Sequence, residues 1–509
     1  MGDGLIDRGR FGDLEPIAIV DIGSNSVRLV VYEGAVRAPF PIYNEKVLCG
    51  LGRSFTSSGR LVPESVEQAL DALRRFKAIA RGLGAKNVHA IATAAVREAI
   101  DGRQFVSAAE YALGSGISVL TGEREAELAA NGIKMGFVAP DGVGGDLGGG
   151  SLELINIAES RLEEAITLPL GGLRLAERAR GRVSRARILA DDDLESVRWL
   201  RSGRGRPFYA IGGTWRAFAK LHMQVSDAPL RVVHGYTIKR SEMIDFCNFV
   251  SNPRAASDTI AQAVLSNSRR DTLPYGAVVM RGLMETMRPR NVVFSIFGIR
   301  EGLLYSYLSA AEQQRDPLLS FCEDFSRLRS RSHRHAHELC HWTDQLFQEA
   351  NVDETPEERR LRHAVCLLSD IEWRAQADHR GEQALFVLAH APFTGVDHAE
   401  RLFVAIAVYF RHAGRGENRG HELSGYLRQG LKRNYLERAQ LVAAAIRTAH
   451  MLSIGRPGIM GEIGVEVLDG VLHLVIPRAY ADMDGERLRR RLKVLATRLG
   501  LTSAIRVDG

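Results

Sequence analysis

Ile17-Ala18-Ile19-Val20-Asp21-Ile22-Gly23-Ser24-Asn25-Ser26-Val27-Arg28-Leu29-Val30-Val31-Tyr32 decides the fold, because a second stretch repeats its layout: Gly145-Asp146-Leu147-Gly148-Gly149-Gly150-Ser151-Leu152-Glu153-Leu154-Ile155. The two share Asp, Gly and Ser at offsets 0, 2 and 5. In each, apolar β-type residues flank small ones, which predicts strand, tight glycine turn, strand, with a carboxylate at the turn's entrance. Such a turn suits phosphate. Glycines let backbone N–H groups approach an anion, and the hydroxyls of Ser24, Ser26 and Ser151 add donors. Asp21 and Asp146 can each hold Mg²⁺ directly or through water. Repetition at matching offsets predicts duplicated half-domains with the turns facing each other across a cleft, rather than two unrelated hairpins.

With Thr121-Gly122-Glu123-Arg124-Glu125-Ala126 between them, the two loops resemble those of the exopolyphosphatase and guanosine pentaphosphate phosphatase family, within the superfamily of actin, acetate kinase and sugar kinases. The resemblance covers nearly the whole chain and is most specific in the first 300 residues or so. It implies an α/β fold of two actin-like (ribonuclease H-like) half-domains over residues 1–135 and 136–312. An all-α HD-like domain (313–452) and a small α+β domain (453–509) follow.

Between the loops, Tyr43 to Leu51 is expected as a strand and Leu61 to Phe76 as an amphipathic helix, with Pro63 near its start. The strand from Val88 delivers Thr93 and Arg97 to the sheet edge, where ligands gather in open α/β sheets. Ile117–Leu120 is a further strand and Glu123 to about Met135 a helix. Glu125 stands where the family carries its water-activating glutamate, with Arg97 as the second catalytic residue. On the residues alone, Glu123, Glu125 and Glu127 equally suit a helix N-terminus. The family often has Arg where Glu127 stands, so local electrostatics differ there. The resemblance also gives Glu153 to the metal site, making Asp21, Asp146 and Glu153 a hard oxygen set for Mg²⁺. The phosphate-binding candidates are Gly23, Ser24, Asn25, Ser26, Thr93, Gly148, Gly149, Gly150 and Ser151. Gly213 and Thr214 join them, at a helix N-terminus after the strand at Tyr209. Leu168 to Leu175 matches an element bordering the cleft in relatives.

After a polar linker ending at Pro317 the pattern is helical to about residue 450. His333, His335, His337, His341 and His363 there read as a metal cluster or a basic face. Arg327, Arg329, Arg331, Arg334, Arg411, Arg415, Arg419, Arg428, Lys432 and Arg433 read as a channel for a long anion or as a solvated face. Leu361–Ile371 resembles the helix bearing the His-Asp dyad of HD-type phosphohydrolases, but Ser369 takes the imidazole's place and leaves His337 and Asp370 a poor metal pair. Asp469-Gly470 marks a hairpin, and Asp484 to Leu499 an Arg-rich amphipathic helix.

Composition agrees with a soluble, multi-domain chain: 509 residues, 45% hydrophobic and 25% charged. Five cysteines at scattered spacings indicate neither a disulfide framework nor a zinc knuckle, so a reducing cytoplasm is expected. No apolar run approaches the roughly 20 residues of a membrane span, and Met1 to Arg8 carry acidic residues and no apolar stretch, so neither membrane insertion nor secretion is expected. Net charge is +6, and only eight of the 67 basic residues are Lys. Arg forks match phosphate oxygens, although Arg-for-Lys bias also follows coding composition. The expected reaction is Mg²⁺-dependent hydrolysis of the terminal phosphoanhydride of inorganic polyphosphate. The alternatives are guanosine pentaphosphate 5′-phosphohydrolysis, or an alarmone- or polyphosphate-binding protein without turnover. In the last, a base and metal ligands would have no work. No nucleic-acid or membrane partner is expected, and the resemblance implies a homodimer.

Overall fold

A computed structural model describes residues 14–52, 59–262, 267–413, 427 and 430–508. They fall into two compact units, Met1–Pro317 and Leu318–Gly509. No helix among the described residues is long and apolar enough to cross a membrane.

The first unit holds two sheets of matching topology. Strands β1 (Ile17–Ile22), β2 (Val27–Tyr32), β3 (Pro41–Val47), β4 (Asn87–Ala92) and β5 (Ile117–Val119) lie in the order β3-β2-β1-β4-β5. The second sheet contains β6 (Gly142–Leu147), β7 (Leu152–Ala158), β8 (Arg161–Leu168), β9 (Phe208–Ile211), β10 (Thr237–Lys239) and β11 (Asn291–Phe294), ordered β10-β11-β9-β6-β7-β8. Read from its far edge, β8-β7-β6-β9-β11 repeats the first sheet, and β10 is an added edge strand. β1 and β6 each pair antiparallel with the next strand and parallel with a later one. This is the actin-like duplication that the repeated loops imply.

Both faces of β1 are covered, so its run is apolar almost throughout. Ala18, Val20 and Ile22 pack on helices Pro63–Gly82 and Gly102–Leu113, while Ile19 faces a core shared with Leu128 and Leu304. Those last two belong to helices Gly122–Gly136 and Ile299–Ser306, which lie between the sheets. The first also presents Ala126, Ala129, Ala130 and Ile133 to Ile155, Ile157 and Ile211 of the second sheet. The helices cross at glycines: a Cβ on Gly302 would stand 1.7 Å from the Leu128 carbonyl oxygen, and one on Gly132 2.5 Å from that of Gly298. Period-2 alternation puts Asp21 on the face of Ile19 and Asp146 on the face of Gly144, where a Cβ would meet Ile133 at 2.5 Å. Both aspartates therefore face the two central helices.

One strand expectation shifts. β3 ends at Val47, not Leu51, because the chain beyond it turns to serve the first loop: Gly50 N–H donates to Asn25 O (3.1 Å) and Gly52 N–H to Ser24 O (2.7 Å). Similarly the strand from Val88 stops at Ala92, and Arg97 lies on a short helix, Ala94–Glu98, begun by Thr93.

The second unit is helical as far as Ser453, then forms a sheet of β12 (Gly464–Leu468), β13 (Val471–Pro477) and β14 (Thr502–Asp508) with helix Glu486–Arg498. Asp469 and Gly470, both at positive φ, make the β12–β13 turn. The histidines separate by role. His335 is buried against the Ser453 hydroxyl at 2.8 Å, and His363 meets Asp344 at 2.8 Å. The helix of His335 begins at His333, capped by Ser332, one turn before His337. Asp370 is taken by Arg331, at 2.6 and 2.8 Å, and by Arg411 at 3.2 Å. Arg329 pairs with Glu372 at 2.8 Å, so several of the arginines expected to line a channel or a solvated face are internally partnered. Arg415, Arg419 and Arg428 lie outside the described residues.

Candidate active site

The two glycine turns close alike. Gly23 N–H donates to Ser26 O at 3.0 Å and Gly148 N–H to Ser151 O at 2.9 Å. Behind the second turn, Gly172, Leu173 and Arg174 N–H groups donate to Gly148 and Gly149 carbonyls at 3.0–3.1 Å. Those bonds engage the Gly148 and Gly149 carbonyls. Gly171 packs so close that its Cβ would lie 2.3 Å from the Gly150 backbone. Opposite, Gly212 takes φ +100°, and a Cβ there would stand 2.5 Å from Leu147 O. Only glycine fits, and the kink starts helix Gly213–Val225 at the cavity wall.

One cavity of about 180 Å³ gathers these pieces. Its walls include Asp21, Gly23, Ser24, Asn25, Ser26, Thr93, Glu125, Asp146, Gly148, Gly149, Gly150, Ser151, Glu153, Gly213 and Thr214. Every phosphate-binding, metal and base candidate is there. Arg97 is not among the wall residues. It stands behind Glu125, pairing with that carboxylate and donating to Leu120 O at 2.8 Å.

Four cations on the wall, Arg28, Lys46, Arg216 and Arg300, were not singled out from the sequence. Arg28 was legible. It stands opposite Asp21 across β1–β2, seven residues on, as Glu153 stands opposite Asp146 across β6–β7. The duplicated halves thus place a cation and a carboxylate at equivalent sites. Lys46 lies beside Arg28 on β3. Arg300 donates to Asp21 Oδ2 at 2.8 Å, so one oxygen of that carboxylate is committed.

The carboxylates are poised for protonation. Burial pushes Glu125 up to about 7, against the pull of Arg97 and with Asp146 and Asp21 adding to the rise. Burial also lifts Asp146 to about 6, opposed by Arg216 and reinforced by Asp21. Glu153 is held well above the usual carboxylate range by burial, then by Glu125 and Asp146. Its Oε1 is buried without a hydrogen-bond partner. Several carboxylates converging around an orphaned oxygen fit a hard divalent cation: it would take oxygen ligands and offset the repulsion. Crowding acts on the cations too, since burial, Arg300 and Arg216 together lower Arg28 to about 10. Glu127, the departure from the family pattern, pairs with Arg124 and is half exposed, away from the cavity.

A family model described as the Ppx/GppA phosphatase family matches residues 29–311. The chain belongs to that family. A second model, "Exopolyphosphatase, C-terminal", matches residues 318–505. "Exopolyphosphatase 1" of Mycobacterium leprae is 29% identical over 308 residues, covering 58% of this chain and 90% of its own. "Retrograde regulation protein 2" of Saccharomyces cerevisiae is 25% identical over 434 residues, 78% of this chain and 72% of its own. The crystal structure of an exopolyphosphatase from Cytophaga hutchinsonii superposes with a TM-score of 0.51 at 21% identity, covering 57% of this chain and 97% of that one. That likeness shows the fold. Membership of the Ppx/GppA family makes the chain a hydrolase, and the family match takes in the cavity wall from Lys46 to Arg300, while Asp21 to Arg28 of the first loop precede it.

Proposed function

We propose that this phosphoanhydride hydrolase is an exopolyphosphatase, releasing orthophosphate from the end of inorganic polyphosphate with Mg²⁺ in the cleft. The observation that carries the reading is one cavity holding a buried carboxylate of pKa about 7 beside two glycine turns and several cations. A base with that pKa is half ionised at neutral pH, where it both accepts a proton and retains driving force. The terminal phosphate sits between Gly23–Ser26 and Gly148–Ser151, taking N–H and hydroxyl donors from both turns. Arg28, Lys46, Arg216 and Arg300 balance the chain's negative charge. Glu125 takes a proton from water as the water oxygen bonds to phosphorus, and the bridging P–O bond breaks with its electron pair left on the shortened chain. Asp21, Asp146 and Glu153 would hold Mg²⁺, which supplies positive charge to the phosphate oxygens. The finer parts of the resemblance go with this reading: a cytoplasmic homodimer, divided at 1–135, 136–312, 313–452 and 453–509.

Guanosine pentaphosphate presents the same terminal anhydride. None of the described wall residues is aromatic, so the cavity offers no ring on which a guanine would stack. This favours polyphosphate. Phosphate release from the purified protein is expected to be faster with polyphosphate than with guanosine pentaphosphate at equal terminal-phosphate concentration. The reverse order would overturn the substrate, and no release from either would overturn the reaction.

Arg97 acts through Glu125 as a positioning residue. The guanidinium favours the ionised carboxylate, so Arg97→Ala raises the Glu125 pKa further. A base is active deprotonated, hence the acid limb of the pH–rate profile should move to higher pH. An unmoved limb would show that Arg97 does not tune the base.

A further inference from the structure

In the second unit, Glu323, His333 and His337 aim three ligand atoms at one point. Glu323 Oε2 lies 2.8 Å from His333 Nε2 and 3.0 Å from His337 Nε2, and the two Nε2 atoms are 3.1 Å apart. His333 and His337 are i,i+4 on helix His333–Glu349 and so share a face; Glu323 comes from the preceding helix, Pro317–Arg329. Hydrogen bonding does not account for the triangle. Each Nε2 carries either a proton or a lone pair. If both are protonated, both donate to Glu323 and the N···N contact sets two donors against each other. If one is not, it no longer donates to the carboxylate. Every arrangement leaves a short contact without its own proton.

We propose that Glu323, His333 and His337 form a binding site for a transition-metal dication of the Zn²⁺ type. A cation at the centre turns three lone pairs into ligands. Two imidazoles and a carboxylate suit Zn²⁺, whereas Mg²⁺ prefers an all-oxygen shell. Tetrahedral bonds of about 2.05 Å put ligand atoms about 3.3 Å apart, so the triangle need open by only a few tenths of an ångström. His337 can give that much, its side chain being 44% exposed, against 23% for His333 and 18% for Glu323. The same exposure leaves a fourth position to water. The metal would clamp the two helices together across residues 330–332. Asp370, held by Arg331 and Arg411, takes no part, so this site shares only His337 with the HD-type pair and uses neither position of the dyad.

The test uses full-length, chelator-treated protein with millimolar Mg²⁺ present to occupy the carboxylate-rich cleft. Zn²⁺ is titrated by competition against a chromophoric chelator, and Co²⁺ by its visible absorption. The wild type should bind one more equivalent of Zn²⁺ than His333→Ala/His337→Ala, with visible Co²⁺ bands that the double variant lacks. His337→Gln, at the exposed ligand and gentler to the fold, should weaken Zn²⁺ binding by roughly 100-fold, the upper end of what losing even an outer-shell partner costs. His341→Ala, one turn on but outside the triangle, should change nothing. Identical titrations for the wild type and both ligand variants, or wild-type affinity no tighter than millimolar, would overturn the site.

Discussion

Glu125→Gln is expected to bind polyphosphate as the wild type does while turnover falls by roughly 10²–10⁴-fold, the range spanned by loss of a positioned acid or base. Gln keeps the size and hydrogen-bonding reach of Glu but cannot take a proton. Because Glu125 is 5% exposed and its pKa is raised by burial, removing its charge also removes a desolvation cost, so the variant should be no less stable than the parent. A fall in turnover with unchanged thermal stability separates chemistry from folding. Glu123→Gln tests position within the same turn: Glu123 is not among the cavity wall residues, and its loss should leave turnover within a few-fold of the parent's. Turnover of Glu125→Gln near the wild-type value would reject the base.

What the sequence revealed and what it hid divide along a physical line. Repeats, turns and periodicity are local, so the Asp-Gly-Ser turns, the Pro63 helix and the Asp469-Gly470 hairpin were legible, and the duplication carried the fold with them. The cations were harder. Arg28 could have been found by laying the two halves over each other, where its offset from Asp21 equals that of Glu153 from Asp146. Arg216 and Arg300 reach the cavity only because helices after β9 and β11 begin at its wall, which no local pattern in a chain this rich in Arg distinguishes. Leu48–Leu51 read as strand because it is apolar, but its backbone is used by the first turn. β14 was missed because its ladder partner, β13, lies some 30 residues earlier, beyond the intervening helix. Arg97 read as a cavity residue because the strand from Val88 is expected to carry it to the sheet edge; its direction, back toward Glu125, is set by a carboxylate 28 residues on.

The cluster of carboxylates makes the second large expectation, on metal and pH together. Asp146, Glu125 and Glu153 all have folded-state pKa values raised above their ordinary ones, so the folded protein holds protons that the unfolded chain releases. Their stabilising contribution is therefore complete below about pH 4 and is lost as pH rises through about 6 for Asp146 and about 7 for Glu125. A divalent cation binds the ionised carboxylates and stabilises only the folded state, so it should restore most where most was lost. Millimolar Mg²⁺ is expected to raise the melting temperature clearly at about pH 8 and little at about pH 5. Glu153→Gln removes the orphaned buried oxygen's charge. In the absence of metal it should melt higher than the wild type at about pH 8, yet need at least about 10-fold more Mg²⁺ for half-maximal phosphate release. Asp146→Asn should move both quantities in the same directions. The opposite signs of the two effects are the point of the experiment, since a purely structural carboxylate would lower stability when removed and leave the Mg²⁺ requirement alone. An equal Mg²⁺ effect at both pH values, or an unchanged Mg²⁺ requirement in both variants, would remove Asp146 and Glu153 from the metal site.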